Sequence, residues 1–303
     1  MREFVHLVIL ACVVPWCNLG TASGYYEHPR KLPKYRDVAT LNSSSGLSGG
    51  MSKSDDATYF ALYKTFGIAA TYFGATATFD VQGFPDIKDT EASSGKIWIQ
   101  NYDNKDASTL NSLQAGWQIK PSVYGDSKTH FFIYWTADAG KTTGCFDLKC
   151  VGFVPVNGAP ITPGDTLEPA NGQKKISAKI FKNKDDGDWW LYYGSEINNL
   201  RPVGYWPKSL FTNMQYHASQ IGWGGVTHAN SKESSPPMGN GQWPGETSAS
   251  VQNIQYVDSR GQVSAPTGWI LSLGAFAPNK KCYQVSPIEG NKFYYGGPGG
   301  CKN

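Results

Sequence analysis

The sequence is short of charge. Asp, Glu, Lys and Arg make up 17% of its 303 residues, and the formal net charge is +3 with no basic cluster. A nucleic-acid partner calls for a basic stripe or patch, so that class is set aside. Long apolar runs are scarce as well. The strongest, Leu7–Val14, stops at Pro15, well below the roughly 20 residues a membrane span needs. No segment keeps a long helical period, which argues against a helical bundle. There is no Gly-x-Ser-x-Gly elbow, and His130, His217 and His228 are scattered, so a serine hydrolase of the elbow type is not indicated. The spacing from Cys145 to Cys150 is wide for a zinc site, and no histidine stands beside the pair, so neither a metal nor a cofactor is expected.

What is present fits an extracellular β protein. Aromatics reach 14%, with 34 Gly and 18 Pro, a composition of strands and tight turns. Arg2, the apolar run and the small residues Thr21-Ala22-Ser23-Gly24 read as a secretory signal peptide over 1–23. Residues 24–56 are polar and broken by Pro29, Pro33 and a Ser/Gly tract, a flexible lead-in or propeptide remnant. The sequon Asn42-Ser43-Ser44 lies there and marks Asn42 for glycosylation.

From residue 57 to 303 the chain reads as one domain. In Thr76–Val81 the apolar residues Ala77, Phe79 and Val81 alternate with polar ones, one face inward and one outward. Lys96–Gln100 reads as the next strand, Lys175–Lys182 alternates again, and His130–Thr136 is apolar on both faces, as a central sandwich strand should be. Val203–Phe211, with Pro207 near a first helical position, is the best short-helix candidate. Strands about every ten residues with turns between them predict an all-β fold, an antiparallel sandwich with a minor short helix. Cys12 and Cys17 leave with the signal peptide, and Cys145, Cys150, Cys282 and Cys301 remain. Three pairings are open; proximity favours Cys145–Cys150 and Cys282–Cys301.

Two stretches stand out for function. Asn111–Trp117 and Gly222–Val226 each set a variable side chain beside Gly and Trp. Glycine lets backbone approach a ligand closely and tryptophan gives a flat wall, so the pair predicts two sides of a cleft. The variable residues are Gln114 and Val226, and neither is a carboxylate.

Gln114-Ala115-Gly116-Trp117 followed by Tyr124-Gly125-Asp126 resembles a motif of the neprosin family of secreted plant proteins. So do Tyr134–Asp138, Thr143–Phe146, Asp188–Trp190, Val203–Pro207, Gly222–Gly225, Met238–Gly241 and Tyr295–Gly300, in family order from about Ala57 to Cys301. The resemblance implies a β-sandwich and the same two local disulfides. For active members it implies a glutamic endopeptidase cutting after proline in acid, with an N-terminal activation segment. Its two glutamates are implied at the positions of Gln114 and Val226. One carboxylate would take a proton from water while the other protonates the departing peptide. Gln114 can orient a water but cannot exchange a proton at useful pH, and Val226 has no polar atom. The resemblance therefore leans toward an inactive copy. Glu246, or Glu196, is the candidate substitute carboxylate. The expected role is a secreted monomer that binds an extracellular proline-rich peptide or wall polymer, through an aromatic cleft that includes Trp117, Tyr134 and Trp223. The competing expectation is an active endopeptidase with an altered Gln/Glu pair.

Overall fold

The computed structural model describes residues 56–66, 71–103, 106–168, 174–266 and 273–302. The signal peptide, the lead-in and Asn42 lie outside these residues. In chain order the first strands are β1 (Asp56–Thr65), β2 (Gly74–Asp80), β3 (Ala92–Asp103) and β4 (Asp106–Ile119). A single helical turn, α1 (Pro121–Tyr124), leads to β5 (Thr129–Thr136), β6 (Cys145–Phe146), β7 (Val154–Pro155) and β8 (Thr166–Leu167). Then come β9 (Lys175–Lys182), β10 (Trp189–Gly194), β11 (Arg201–Trp206), β12 (Gln220–Asn230) and β13 (Ser250–Val257). The last are β14 (Val263–Ser264), β15 (Leu273–Phe276), β16 (Gln284–Val285) and β17 (Phe293–Gly296).

Every described pairing is antiparallel. One sheet runs β15-β1-β12-β3-β4-β5-β6, with β8 beside β5; the other runs β16-β17-β13-β2-β9-β10-β11-β7, with β14 beside β13. The two layers share one core. Ile97, Leu113, Trp117 and Trp223 from the first sheet pack with Phe79, Ile176, Leu191 and Val251 from the second. Each such buried side chain contributes roughly 1.5–3 kcal/mol of transfer free energy. Trp223 also ties the layers by a hydrogen bond, its Nε1–H donating to Thr76 O at 2.9 Å.

The period-two pattern is strict where it matters. In β4, Leu113, Ala115, Trp117 and Ile119 enter the shared core, so Ser112, Gln114, Gly116 and Gln118 point to the other face. Gly116 sits against β3 so tightly that a Cβ there would lie 2.1 Å from Gly95 O. Gly224, at φ +148°, is likewise pressed on β1, with Ala61 O 2.5 Å from a built Cβ. These glycines let strands approach one another, not a ligand.

The expected helix over Val203–Phe211 is corrected. Arg201–Trp206 is strand β11, because Val203 and Trp206 are buried core residues and Trp206 pairs with Trp189. Only Lys208–Leu210, after Pro207, turns helically, as a 3-10 turn. The α-helical turn instead falls at Pro121–Tyr124, with proline at its start and Gly125 at φ 80° closing it. Both disulfides join the expected partners, Cys145–Cys150 and Cys282–Cys301. The second is held by reciprocal bonds, Cys301 N–H to Ser235 Oγ at 3.0 Å and Ser235 N–H to Cys301 O at 2.8 Å. Among the described residues no helix is long and apolar enough to cross a membrane.

Candidate functional site

The face of the first sheet turned away from the shared core carries the site. Strand register arranges its side chains in three adjacent rows. The first runs Phe60, Val226, Ser94, Gln118, His130. The second runs Leu62, Gly224, Lys96, Gly116, Phe132. The third runs Lys64, Gly222, Trp98, Gln114, Tyr134, Phe146.

The rows make a polar centre between two apolar flanks. On one side Phe60, Leu62, Trp98 and Val226 cluster, with Phe276 against them. On the other, Phe132, Tyr134 and Phe146 cluster, with Val123 and Tyr124 packed on them. Between them lie Gln114 and Lys96, each 1% exposed. The Lys96 ammonium sits 5.0 Å from the Trp98 ring centroid and 5.5 Å from that of Phe132, an arrangement in which the ring quadrupoles stabilise the cation. Gln114 Nε2 and both amide atoms of Gln118 are buried without a hydrogen-bond partner. Such orphaned groups each cost about 1–3 kcal/mol, and others lie in the shared core at Trp117, Trp135, Trp206 and Tyr295.

The Tyr134 flank is braced from behind. Tyr124 stacks on His130 at 3.9 Å, and its hydroxyl donates to Asp147 Oδ2 at 3.0 Å. Ile133 N–H donates to Asp147 Oδ1 at 3.0 Å. Burial pushes the Asp147 carboxyl up to about 6, against the pull of these two bonds. His130 is fixed at both ring nitrogens, 2.7 Å from Gly164 O and 2.9 Å from Asp126 Oδ1.

The Neprosin family model matches residues 89–298. The chain belongs to the neprosin family. The match takes in strands β3 to β17, and β1, which precedes it, pairs in register with β12, so the neprosin sandwich is completed by chain ahead of the matched span. Two solved structures are similar at low identity. One is scytalido-glutamic peptidase with a transition state analog inhibitor, 10% identical, TM-score 0.42, covering 80% of this chain and 98% of that one. The other is SCP-B, a member of the Eqolisin family of peptidases in complex with the tripeptide Ala-Ile-His, 9% identical, TM-score 0.38, covering 79% and 96%.

Within the neprosin domain the expected site residues divide. Gln114, Val226 and Tyr134 share the outer face, and Gln114 and Tyr134 are direct cross-strand neighbours. Gln114 and Val226 do not face each other. The β12 residue in Gln114's row is Gly222, four positions from Val226. Four strand residues span about 13 Å along a strand, so the two positions stand in different rows of this face. Trp117 and Trp223 are corrected: both are 0% exposed in the core between the sheets and line no cleft. The reason is parity, since each stands three residues from its partner and a strand turns odd spacings to opposite faces. Glu246 is exposed in the loop between β12 and β13, and Glu196 is exposed in the turn between β10 and β11, on the second sheet. No Asp or Glu occupies a row position beside Gln114; its lateral neighbours are Trp98 and Tyr134. Trp98, Lys96 and Gly222 share this face with Gln114, and Trp98, Lys96 and the place of Gly222 in the Gln114 row were missed. The alternation of Lys96-Ile97-Trp98-Ile99-Gln100 was the signal for the first two, and counting back by twos from Val226 was the signal for Gly222. Among the described residues no group of three or more His, Cys, Asp or Glu gathers to hold a metal ion.

Proposed function

We propose that this neprosin-domain protein is a catalytically impaired homologue of glutamic prolyl endopeptidases. It is secreted, and it binds extended proline-rich or cell-wall chains on the aromatic face around Gln114. The observation that carries the reading is Gln114 set between Trp98 and Tyr134, with Gly222 and no carboxylate in its row. Splitting a peptide with water needs a group that takes a proton and one that gives it. An amide does neither at working pH. What the row holds instead is aromatic side chains and an unsatisfied amide N–H, all buried in this structure, of the kinds that suit proline rings and a peptide carbonyl once a ligand reaches them. The two disulfides fit an oxidising, extracellular setting.

Purified protein is incubated in acid with an end-blocked proline-rich peptide. The expected result is binding, read by tryptophan fluorescence, that weakens in Trp98→Ala, with no cleavage seen by mass spectrometry. Cleavage that disappears in Gln114→Ala would overturn the impaired reading.

A further inference from the structure

Beside Trp98 the outer face carries a small recess, lined in part by Phe60, Leu62, Lys64, Trp98, Gln220 and Gly222. Its walls are apolar and aromatic, yet it contains a lysine. Lys64 is only 6% exposed. Its ammonium lies 4.4 Å from the Phe276 ring centroid and 5.1 Å from that of Phe66, and no described carboxylate stands within ion-pair distance of it. Burial holds its pKa below the usual lysine value, with no opposing charge among the causes. A buried cation without a counter-charge is costly, and two aromatic faces offset only part of that cost. Such a group either gives up its proton or is completed by an anion.

The remaining polar atoms narrow the choice. Gln220 donates one amide N–H to Thr65 O at 3.1 Å, and Gln100, also on the pocket wall, donates one to Ser112 Oγ at 3.4 Å, so each keeps a second N–H beside its oxygen. Both side-chain oxygens are left as acceptors. Gly222 contributes no side chain, which leaves the floor clear on the side that leads over Trp98 to Gln114.

We propose that this pocket receives the C-terminal residue of a peptide, an apolar side chain with a free α-carboxylate. The carboxylate meets Lys64, the last peptide N–H meets a glutamine oxygen, and the side chain packs on Phe60, Leu62 and Trp98. The preceding residues then run across Trp98 toward Gln114. A chain passing through without a terminus offers Lys64 only a carbonyl. A fatty acid has a carboxylate but no N–H for Gln100 or Gln220. The inference rests on the reading that this face binds peptides, and it names which end is held.

The test uses the whole protein and calorimetric titration with an acetylated tetrapeptide ending in leucine, as free acid and as C-terminal amide, with decanoate as a third ligand. The wild-type protein is expected to bind the acid about tenfold or more tightly than the amide, the order expected for a hydrogen bond to a charged group. Lys64→Met, checked for folding by circular dichroism, is expected to bind both peptides alike. Equal binding of acid and amide by the wild-type protein, or no binding of either, overturns the proposal, and so does decanoate matching the acid peptide. The end-blocked proline-rich peptide separates the two readings. If it binds while acid and amide are equal, only this inference falls. If it fails while the acid form binds, the terminal pocket stands and the extended-chain reading falls.

Discussion

Replacing Asp147 by asparagine isolates one charge beneath the Tyr134 flank. Asp147 is 3% exposed and its carboxyl is raised to about 6 by burial, whereas an unfolded aspartate titrates near 3.9. Below about pH 4 both states hold the proton and the group costs nothing. As pH rises from about 4 to 6 the unfolded chain releases its proton first, so stability falls through that window. Above about 6 the cost is complete and constant. A shift of about two units corresponds to roughly 3 kcal/mol. The substituted asparagine keeps an oxygen for Ile133 N–H and turns its amide to the Tyr124 oxygen, but carries no charge. Urea unfolding of wild type and Asp147→Asn at pH 4, 5, 6 and 7 should show the variant gaining on the wild type by up to roughly 3 kcal/mol as pH rises. Taking the difference at each pH cancels groups common to both proteins, including His130, Asp126 and Lys149 nearby. A difference that stays flat with pH would refute the reasoning. Since Asp147 holds Tyr124, and Tyr124 packs on Phe132, Tyr134 and Phe146, the expected rise would mean that this flank is firmest in acid.

Two further predictions follow from strand register and face. Gln114→Glu with Val226→Glu should create no peptidase activity, whereas Gln114→Glu with Gly222→Glu puts two carboxylates in one row, about 10 Å apart at Cα across β3. A side chain at Gly222 meets Tyr63 O at 3.1 Å and Lys64 Cβ at 3.3 Å, a fit that small shifts can relieve. Turnover of a proline peptide in acid should rise only in the second pair, by about 10² or more; activity in the Val226 pair, or none in a folded Gly222 pair, would contradict the row assignment. Trp223→Phe removes the bond to Thr76 O and should cost roughly 1–3 kcal/mol of stability while leaving peptide binding intact; weakened binding at unchanged stability would return Trp223 to the ligand face.

Much of this was legible in the residues. Alternation in Thr76–Val81 and Lys175–Lys182 gave strands that the structure keeps, with Ala77, Phe79, Ile176, Ala178 and Ile180 in the core, but the face read as outward is covered too, since Thr76, Thr78 and Ser177 are buried. Cysteine proximity gave both disulfides, since loops of five and nineteen residues close easily. Strand parity was legible too, and would have moved Trp117 and Trp223 off the ligand face from spacing alone. Composition and motif order carried the family. What spacing within one strand cannot say is which residue of another strand lies beside it. Gln114 and Gly222 are joined through β3, a strand neither stretch contains, and pairing across a sheet depends on the register of all three. The burial of Lys64, Lys96 and Asp147 is equally a product of what folds over them, and the charges that matter here became unusual only once the sheets had closed.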